Sequence, residues 1–157
     1  MSVRAQLVST GFLRCFQHFR IILTPHNRCQ NISMFISENL NPLNKRTDDC
    51  VVRALAKALG IDWKSAYTML SAHGLKMADI FSKNYVWGDL LLSLGFTRSG
   101  IPNTCPDCYT IAEFATDHPA GTYIIGTGDH AVAVIDGDWF DSFDSGSMIP
   151  IICYRRE

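Results

Sequence analysis

The sequence predicts a single α+β domain, and the prediction follows from a change in apolar periodicity along the chain. In the first half, apolar residues recur at helical spacing between polar or glycine-containing breaks. From Thr122 onward, apolar and polar residues alternate as they do in β-strands. Helical segments followed by strand segments predict helices packed on a C-terminal antiparallel sheet.

Composition agrees with one globular domain. The chain has 157 residues, of which 47% are hydrophobic, and this suffices for an ordinary buried core. No stretch approaches the ~18 apolar residues of a membrane span, so we expect no membrane partner. The six cysteines show no regular disulfide spacing, which favours a reducing compartment such as the cytoplasm.

Residues 1–33 differ in charge from the rest of the chain. They contain four arginines and no acidic residue, whereas residues 34–157 carry ten basic and fifteen acidic residues. The first segment has the composition of a transit peptide or of a translated upstream region. We predict an N-terminal extension over 1–33, disordered or outside the functional protein, and one domain over 34–157. The acidic domain argues against a nucleic-acid partner.

Three helices are expected in the first half of the domain. The polar loop of residues 39–49 is followed by an apolar run at helical spacing. Asp62 is suited to cap the next helix, and glycines follow each run as stop signals. The expected helices run from Cys50 to Gly60, from Asp62 to Gly74, and from Asn84 to a stop at Gly95.

The second half contains one short helix and then strands. Thr110 and Glu113 form a capping box at the start of the helix. Asp136 and Gly137 are a strong signal for a two-residue hairpin turn. The expected strands cover residues 122–126, 130–135, 139–143 and 148–154.

Cys50 stands where the polar loop meets the first helix. Free backbone N–H groups and the positive end of the helix dipole favour a thiolate there, which is the nucleophilic form. The alternative role is that of a small buried apolar residue. Upstream, Asn44 carries an amide that could donate to an oxyanion together with the Cys50 N–H, although a loop asparagine more often makes a turn.

His130 is the candidate base. If the hairpin loop after its strand has two residues, Asp141 shares a face with His130 and can orient the imidazole. A three-residue loop would reverse the parity and favour Asp144 instead. Without a catalytic role, His130 would be a histidine at the start of a strand, and the aspartates would form a solvated edge.

Cys105 and Cys108 have the spacing of a zinc knuckle or a redox pair. A closed zinc site needs four ligands, and the sequence offers no second pair at suitable spacing. We therefore expect two incidental thiols in a loop, with no metal and no cofactor.

Two motifs resemble papain-like cysteine peptidases. "GDHAVAVIDGDWFDSFDS" is similar to their histidine and asparagine strands, with Asp-Ser-Phe in place of Asn-Ser-Trp. Cys50 begins the first long helix, and Asn44 stands where these peptidases have an oxyanion glutamine. "DDCVVRALAKALG", together with the later motif, is also similar to small phage and bacterial proteins of the kind that processes bacteriocin leaders.

This resemblance implies a small papain-like fold and a Cys50, His130, Asp141 triad that cleaves a peptide or isopeptide bond through a thioester. It implies a peptide or protein substrate and a cytoplasmic location, in the host cytoplasm for a phage protein. The substrate class is not inherited, because Val51 departs from the papain pattern and the domain is smaller. "DCVVRAL" also resembles the "NCLFRAL" of ovarian-tumour deubiquitinases. A non-enzymatic binding or inhibitor protein on a peptidase scaffold is the remaining alternative.

Overall fold

The α+β class is confirmed by a computed structural model, which describes residues 32–102 and 108–156. Residues 1–31 lie outside the described residues, so the prediction of an extension over 1–33 stays a prediction. Within the described ranges, no helix is both long and apolar enough to cross a membrane. The elements are β1 (Phe35–Ser37), α1 (Cys50–Leu59), α2 (Trp63–Met77), α3 (Asn84–Ser93), β2 (Phe96–Gly100), α4 (Ile111–Asp117), β3 (Thr122–Gly126), β4 (Ala131–Ile135), β5 (Asp138–Asp141) and β6 (Ile152–Arg156).

The strands form one mixed sheet in the order β1-β5-β4-β3-β6-β2. All neighbours are antiparallel except β1 and β5, which run parallel with Phe35 opposite Trp139. The C-terminal strands pair antiparallel as predicted, but the addition of β1 makes the whole sheet mixed rather than antiparallel. Neither β1 nor β2 was predicted, because β1 has only three residues and β2 buries only Phe96, so neither shows a clear alternation.

Helices cover both faces of the sheet. Ala131 and Ala133 belong to the core cluster that contains α1, α2 and α3 residues, whereas Val132 and Val134 belong to the cluster around α4. Alternate strand residues point to opposite faces, which explains this division. The two alanines leave room for α1 to pack closely over β4.

The helix signals were correct at most of the predicted ends. Gly60 ends α1 with φ 67°, and the Asp62 side chain accepts the Ser65 N–H at the start of α2. The prediction that Gly74 ends α2 was wrong, since this helix continues to Met77. A Cβ at Gly74 would lie 2.7 Å from the carbonyl oxygen of Asp79, so this glycine serves close packing rather than termination.

The second half also follows its local signals. Thr110 and Glu113 make both hydrogen bonds of the capping box at α4. The turn between β4 and β5 has two residues, Asp136 and Gly137, both with positive φ. The strands around it are shorter than predicted: β4 begins at Ala131, β5 ends at Asp141, and the last strand begins only at Ile152.

Candidate active site

Cys50 is the first residue of α1. The helix begins here because the Asp49 N–H bonds to the Thr47 carbonyl at 2.7 Å, after which the Arg53 N–H bonds to the Asp49 carbonyl at 3.0 Å. The thiol therefore lies at the positive end of the helix dipole, as the sequence predicted. Its side chain is half-buried and is not in a disulfide.

His130 is held by the tight connection between β3 and β4. The last paired residues are Gly126 and Ala131, and the Thr127 N–H donates to the His130 carbonyl at 3.0 Å. Gly128, with φ 108°, lies in this turn, where a residue with a Cβ would be strained. The His130 side chain is only 11% exposed.

Asp141 lies at the end of β5, beside the start of β4. Because the hairpin loop has two residues, Val134 pairs with Trp139, and continuing this register places Asp141 opposite Val132, diagonal to His130. The His130 Nε2 lies 2.5 Å from Asp141 Oδ2, and the Ser142 N–H donates to Asp141 Oδ1 at 2.7 Å. The structure therefore brings Asp141 to the histidine, as the hairpin parity predicted.

Asp144, the alternative third member, has a different role. Its Oδ1 accepts the Trp139 Nε1–H and the Gly146 N–H, each at 3.0 Å. These two bonds fix the turn that follows β5. The structure does not bring Asp144 to His130.

The other nitrogen of His130 faces the nucleophile. Because Nε2 is occupied by Asp141, Nδ1 is the ring nitrogen left to interact with the Cys50 thiol, which lines the same cleft. Burial by itself raises the pKa of Cys50, but the His130 ring and the Ala131 N–H outweigh it and hold this pKa below its ordinary value of 9.0. Burial disfavours the imidazolium, but Asp141 and Cys50 raise the pKa of His130 to about 9.

These shifts act against the usual order of proton release. In water an imidazole loses its proton before a thiol does. Here the environment lowers the pKa of the thiol and raises that of the imidazole. The arrangement therefore favours a thiolate–imidazolium pair, in which the sulfur is nucleophilic and the ring holds a proton for a leaving group.

Asn44 is not brought to this site. It has φ 53° in the polar loop, its Oδ1 accepts from Asn39 Nδ2 at 3.1 Å, and its N–H donates to the Asn41 carbonyl at 2.8 Å. It is absent from the described residues that line the cleft. The turn role is therefore the one observed, because Asn tolerates the left-handed conformation that this loop requires.

Cys50 and His130 line a cleft of about 530 Å³ between the N-terminal ends of α1 and α3, the β3–β4 turn and the segment after β5. On its floor the Asn84 Nδ2–H donates to the Gly128 carbonyl at 2.8 Å, which ties α3 to the turn that carries His130. The remaining lining residues include both charge signs and two aromatic rings: Arg46, Thr47, Asp48, Val51, Arg53, Ser82, Trp87, Asp129, Ser142 and Phe143.

A buried ion pair next to Cys50 in the chain, between Asp49 and Arg53, was not predicted from the sequence. Asp49 and Arg53 are 5% and 7% exposed, and Arg53 Nη1 lies 2.7 Å from Asp49 Oδ1. The signal was available, because Asp and Arg four positions apart on a helix are neighbours. The pair also explains how an acidic residue beside Cys50 is compatible with a thiolate, since its charge is compensated.

The interpretation of Cys105 and Cys108 as two incidental thiols needs a correction. Cys108 is disulfide-bonded and is therefore not a thiolate ligand. Cys105 lies outside the described residues. Over residues 32–102 and 108–156, no group of three or more His, Cys, Asp or Glu side chains is arranged to hold a metal ion.

No family model, curated protein or solved structure matches the chain. The interpretation of the site therefore depends on its geometry.

Proposed function

We propose that this protein is a cysteine peptidase-like hydrolase with a small papain-like fold, which cleaves a peptide or isopeptide bond. The observation that carries the proposal is the placement of Cys50 and His130 in one open cleft, with His130 hydrogen-bonded to Asp141. A nucleophile at a helix start, a base and a carboxylate that orients the base are the parts that acyl transfer requires.

In the first step, the Cys50 thiolate attacks the carbonyl carbon, a C–S bond forms, and the carbonyl oxygen becomes an oxyanion. The imidazolium of His130 then gives its proton to the leaving nitrogen as the C–N bond breaks, which leaves a thioester. In the second step, neutral His130 takes a proton from water, whose oxygen attacks the thioester. The C–S bond breaks, the acid product is released, and the thiolate–imidazolium pair is regenerated.

Two further groups have assigned roles in this proposal. Asp141 holds the imidazole with Nδ1 towards the sulfur and stabilises its protonated form. The Cys50 N–H belongs to the first turn of α1, whose N–H groups lack intrahelical acceptors, and we assign it to the oxyanion. The side-chain amide of Asn44 has no part in it.

The same groups would serve amidase or transferase chemistry, so the substrate must be found by experiment. The partner in this proposal is a peptide or protein. The cytoplasm is the compartment that we propose from the free thiols of Cys50 and Cys153, and the Cys108 disulfide is the observation against it. An inert scaffold used for binding is the alternative of a different class.

The test is a panel of peptide, ubiquitin-like and simple amide substrates, with Cys50→Ala beside the wild type. We expect turnover of at least one class to be lost in Cys50→Ala and kept in Cys153→Ala. Cys153 is the matched control because it is the other free thiol of the described residues and burial raises its pKa. Iodoacetamide near neutral pH should label Cys50 faster than Cys153. Turnover that persists in Cys50→Ala, or a lack of selective labelling, would remove Cys50 from the mechanism.

A further inference from the structure

Arg53 lies one turn along α1 from Cys50, on the same face of the helix. It is 7% exposed, and its guanidinium is positioned between two buried carboxylates. Nη1 lies 2.7 Å from Asp49 Oδ1, and Nη2 lies 3.6 Å from Asp141 Oδ1. The helix that supplies the nucleophile therefore also supplies a cation to the carboxylate that orients the base.

Asp49 holds this cation in place. Its Oδ1 accepts from Arg53, and its Oδ2 accepts from Asn41 Nδ2 and Trp63 Nε1, each at 2.9 Å. Asp49 occupies the N-cap position of α1 but makes no side-chain cap hydrogen bond. The carboxylate is thus used to fix Arg53 rather than to cap the helix, which is the usual role of an acidic residue at that position.

The two oxygens of Asp141 have separate partners. Oδ2 accepts from His130 Nε2, whereas Oδ1 accepts the Ser142 N–H and faces Arg53. A carboxylate that is held at Oδ1 can turn only a little, so Oδ2 stays directed at the imidazole. The Arg53 Nε is buried without a hydrogen-bond partner among the described residues, so the polar contacts of this guanidinium are those of Nη1 and Nη2 with the two carboxylates.

We propose that Arg53 is a positioning residue that holds the Asp141 carboxylate towards His130, with Asp49 as its anchor. The inference assumes the proposed Cys50 chemistry and adds to it a buried charged chain from Asp49 through Arg53 and Asp141 to His130. In this arrangement Arg53 touches no reacting atom and acts only through Asp141.

Removal of Arg53 alone would leave Asp49 as an uncompensated buried charge, which is destabilising. The informative change is therefore the pair Asp49→Asn with Arg53→Met, which removes the cation and its anchor together. Arg53→Lys keeps the charge without the planar fork that reaches two carboxylates. Lys57→Met is the matched control, since Lys57 is a basic residue of α1 whose ammonium is ion-paired with Glu38 at 2.8 Å and lies 3.9 Å from the centre of the Phe140 ring, rather than on the Asp141 carboxylate.

Two readouts separate positioning from a purely structural role. The first is kcat, which we expect to fall by about 10- to 100-fold with little change in KM, the range typical of groups that orient a functional side chain. The second is the pH midpoint of Cys50 alkylation by iodoacetamide, which needs no turnover. It should rise towards the ordinary thiol value of 9.0, and Arg53→Lys should recover part of both effects. The other charged groups at the cleft, Arg46, Asp48 and Asp129, are unchanged in every variant.

The decisive comparison repeats the paired change in an Asp141→Asn background. If Arg53 acts through Asp141, the paired change made in the Asp141→Asn background should lower kcat by less than about twofold. It should also leave the pH midpoint of alkylation nearly unchanged. An equal effect in both backgrounds, or an unmoved midpoint in a folded paired variant, would overturn the inference. If the wild type lacks Cys50-dependent turnover but the midpoint responds as expected, the proposed function fails and the positioning role stands.

Discussion

Asp141 combines burial with a complete set of partners, and this distinguishes it from the other acidic residues near His130. Its side chain is 3% exposed, and each carboxylate oxygen has its own donor. Asp144 accepts from Trp139 and Gly146, and both of these donors go to its Oδ1. The two aspartates therefore differ both in exposure, since Asp144 is exposed and Asp141 is buried, and in their partners.

Asp141→Asn should lower kcat/KM by about 10²- to 10⁴-fold, because an amide neither stabilises the imidazolium nor selects the same imidazole orientation. The measurement is steady-state kinetics on the substrate found in the panel. Asp144→Asn, which changes an acid in the same segment, should stay close to the wild-type value. Equal losses in the two variants would show that the effect is not transmitted through His130.

The rate should also depend on pH in a bell shape. The thiolate is needed, so activity rises through the lowered pKa of Cys50. The imidazolium is needed as well, so activity falls through the pKa of His130 at about 9. Values of kcat/KM measured from pH 4 to 11 will test this bell shape. An alkaline limb close to the ordinary histidine pKa would contradict the hydrogen bond between His130 and Asp141.

At the scale of elements, the β4–β5 hairpin sets the register of the candidate site. Its turn residues, Asp136 and Gly137, have φ 51° and 90°, which suit the right-handed twist of the two strands. One more residue in this loop would move every side chain of β5 to the opposite face. The turn therefore determines which aspartate meets His130.

Gly137→Ala should lower the free energy of unfolding by about 1–2 kcal/mol, because a side chain is disfavoured at positive φ. A Cβ there would also lie 3.3 Å from the Pro119 Cα. Gly100→Ala is the control, since this strand glycine has open space around it and no positive φ. Urea unfolding of both variants is the measurement, and equal midpoints would refute the role given to the turn.

At the scale of the whole molecule, the N-terminus of α1 meets the end of the sheet where β4 begins and β5 ends. The nucleophile comes from the helix layer, and its two partners come from the sheet. The ionised groups alternate in sign from Asp49 through Arg53, Asp141 and His130 to Cys50. Packing of α1 against β4 thus assembles the site, and the site in turn links protonation to the stability of the fold.

This linkage predicts a pH effect on stability that has a defined sign. The pKa of His130 is raised from 6.5 to about 9 by folding, so its contribution is full below 6.5 and is lost as pH rises through the folded value. Cys50→Ala removes the lowered thiol pKa, which acts in the opposite sense, and leaves the part of the His130 shift that Asp141 causes.

We expect the unfolding free energy of Cys50→Ala to decrease as pH rises above about 6.5, measured by denaturant titration at several pH values. Cys50→Ala with Asp141→Asn should lose most of this dependence. The other histidines are common to both proteins and cancel in the comparison. Parallel curves for the two variants would show that Asp141 does not stabilise the His130 imidazolium.

Much of the fold could be predicted from short stretches of sequence. The start of α1 at Cys50, the Asp62 cap and the capping box at Thr110 all depend on residues within about one helical turn. Errors occurred where distant contacts override local signals. Gly74 lies inside α2 because the following loop packs against it.

The candidate site likewise has one part that local sequence signals predicted and one part that they did not. Hairpin parity singles out Asp141, because it depends only on a two-residue turn and on strand alternation. Asn44 was assigned from its position before Cys50, yet the loop between them turns it towards Asn39. The polar residues of this loop hydrogen-bond to one another. No periodicity in the sequence predicts such contacts.

By itself, then, the sequence determined the helix that begins at Cys50, the hairpin, and the pairing of His130 with Asp141, since local geometry specifies each of them. Only the tertiary structure decided that the thiol meets His130, that β1 adds a parallel edge strand, and that Arg53 bridges Asp49 and Asp141. These contacts join segments far apart in the chain. They are set by how α1 packs on the sheet, because the burial of whole faces, rather than any short motif, determines that placement.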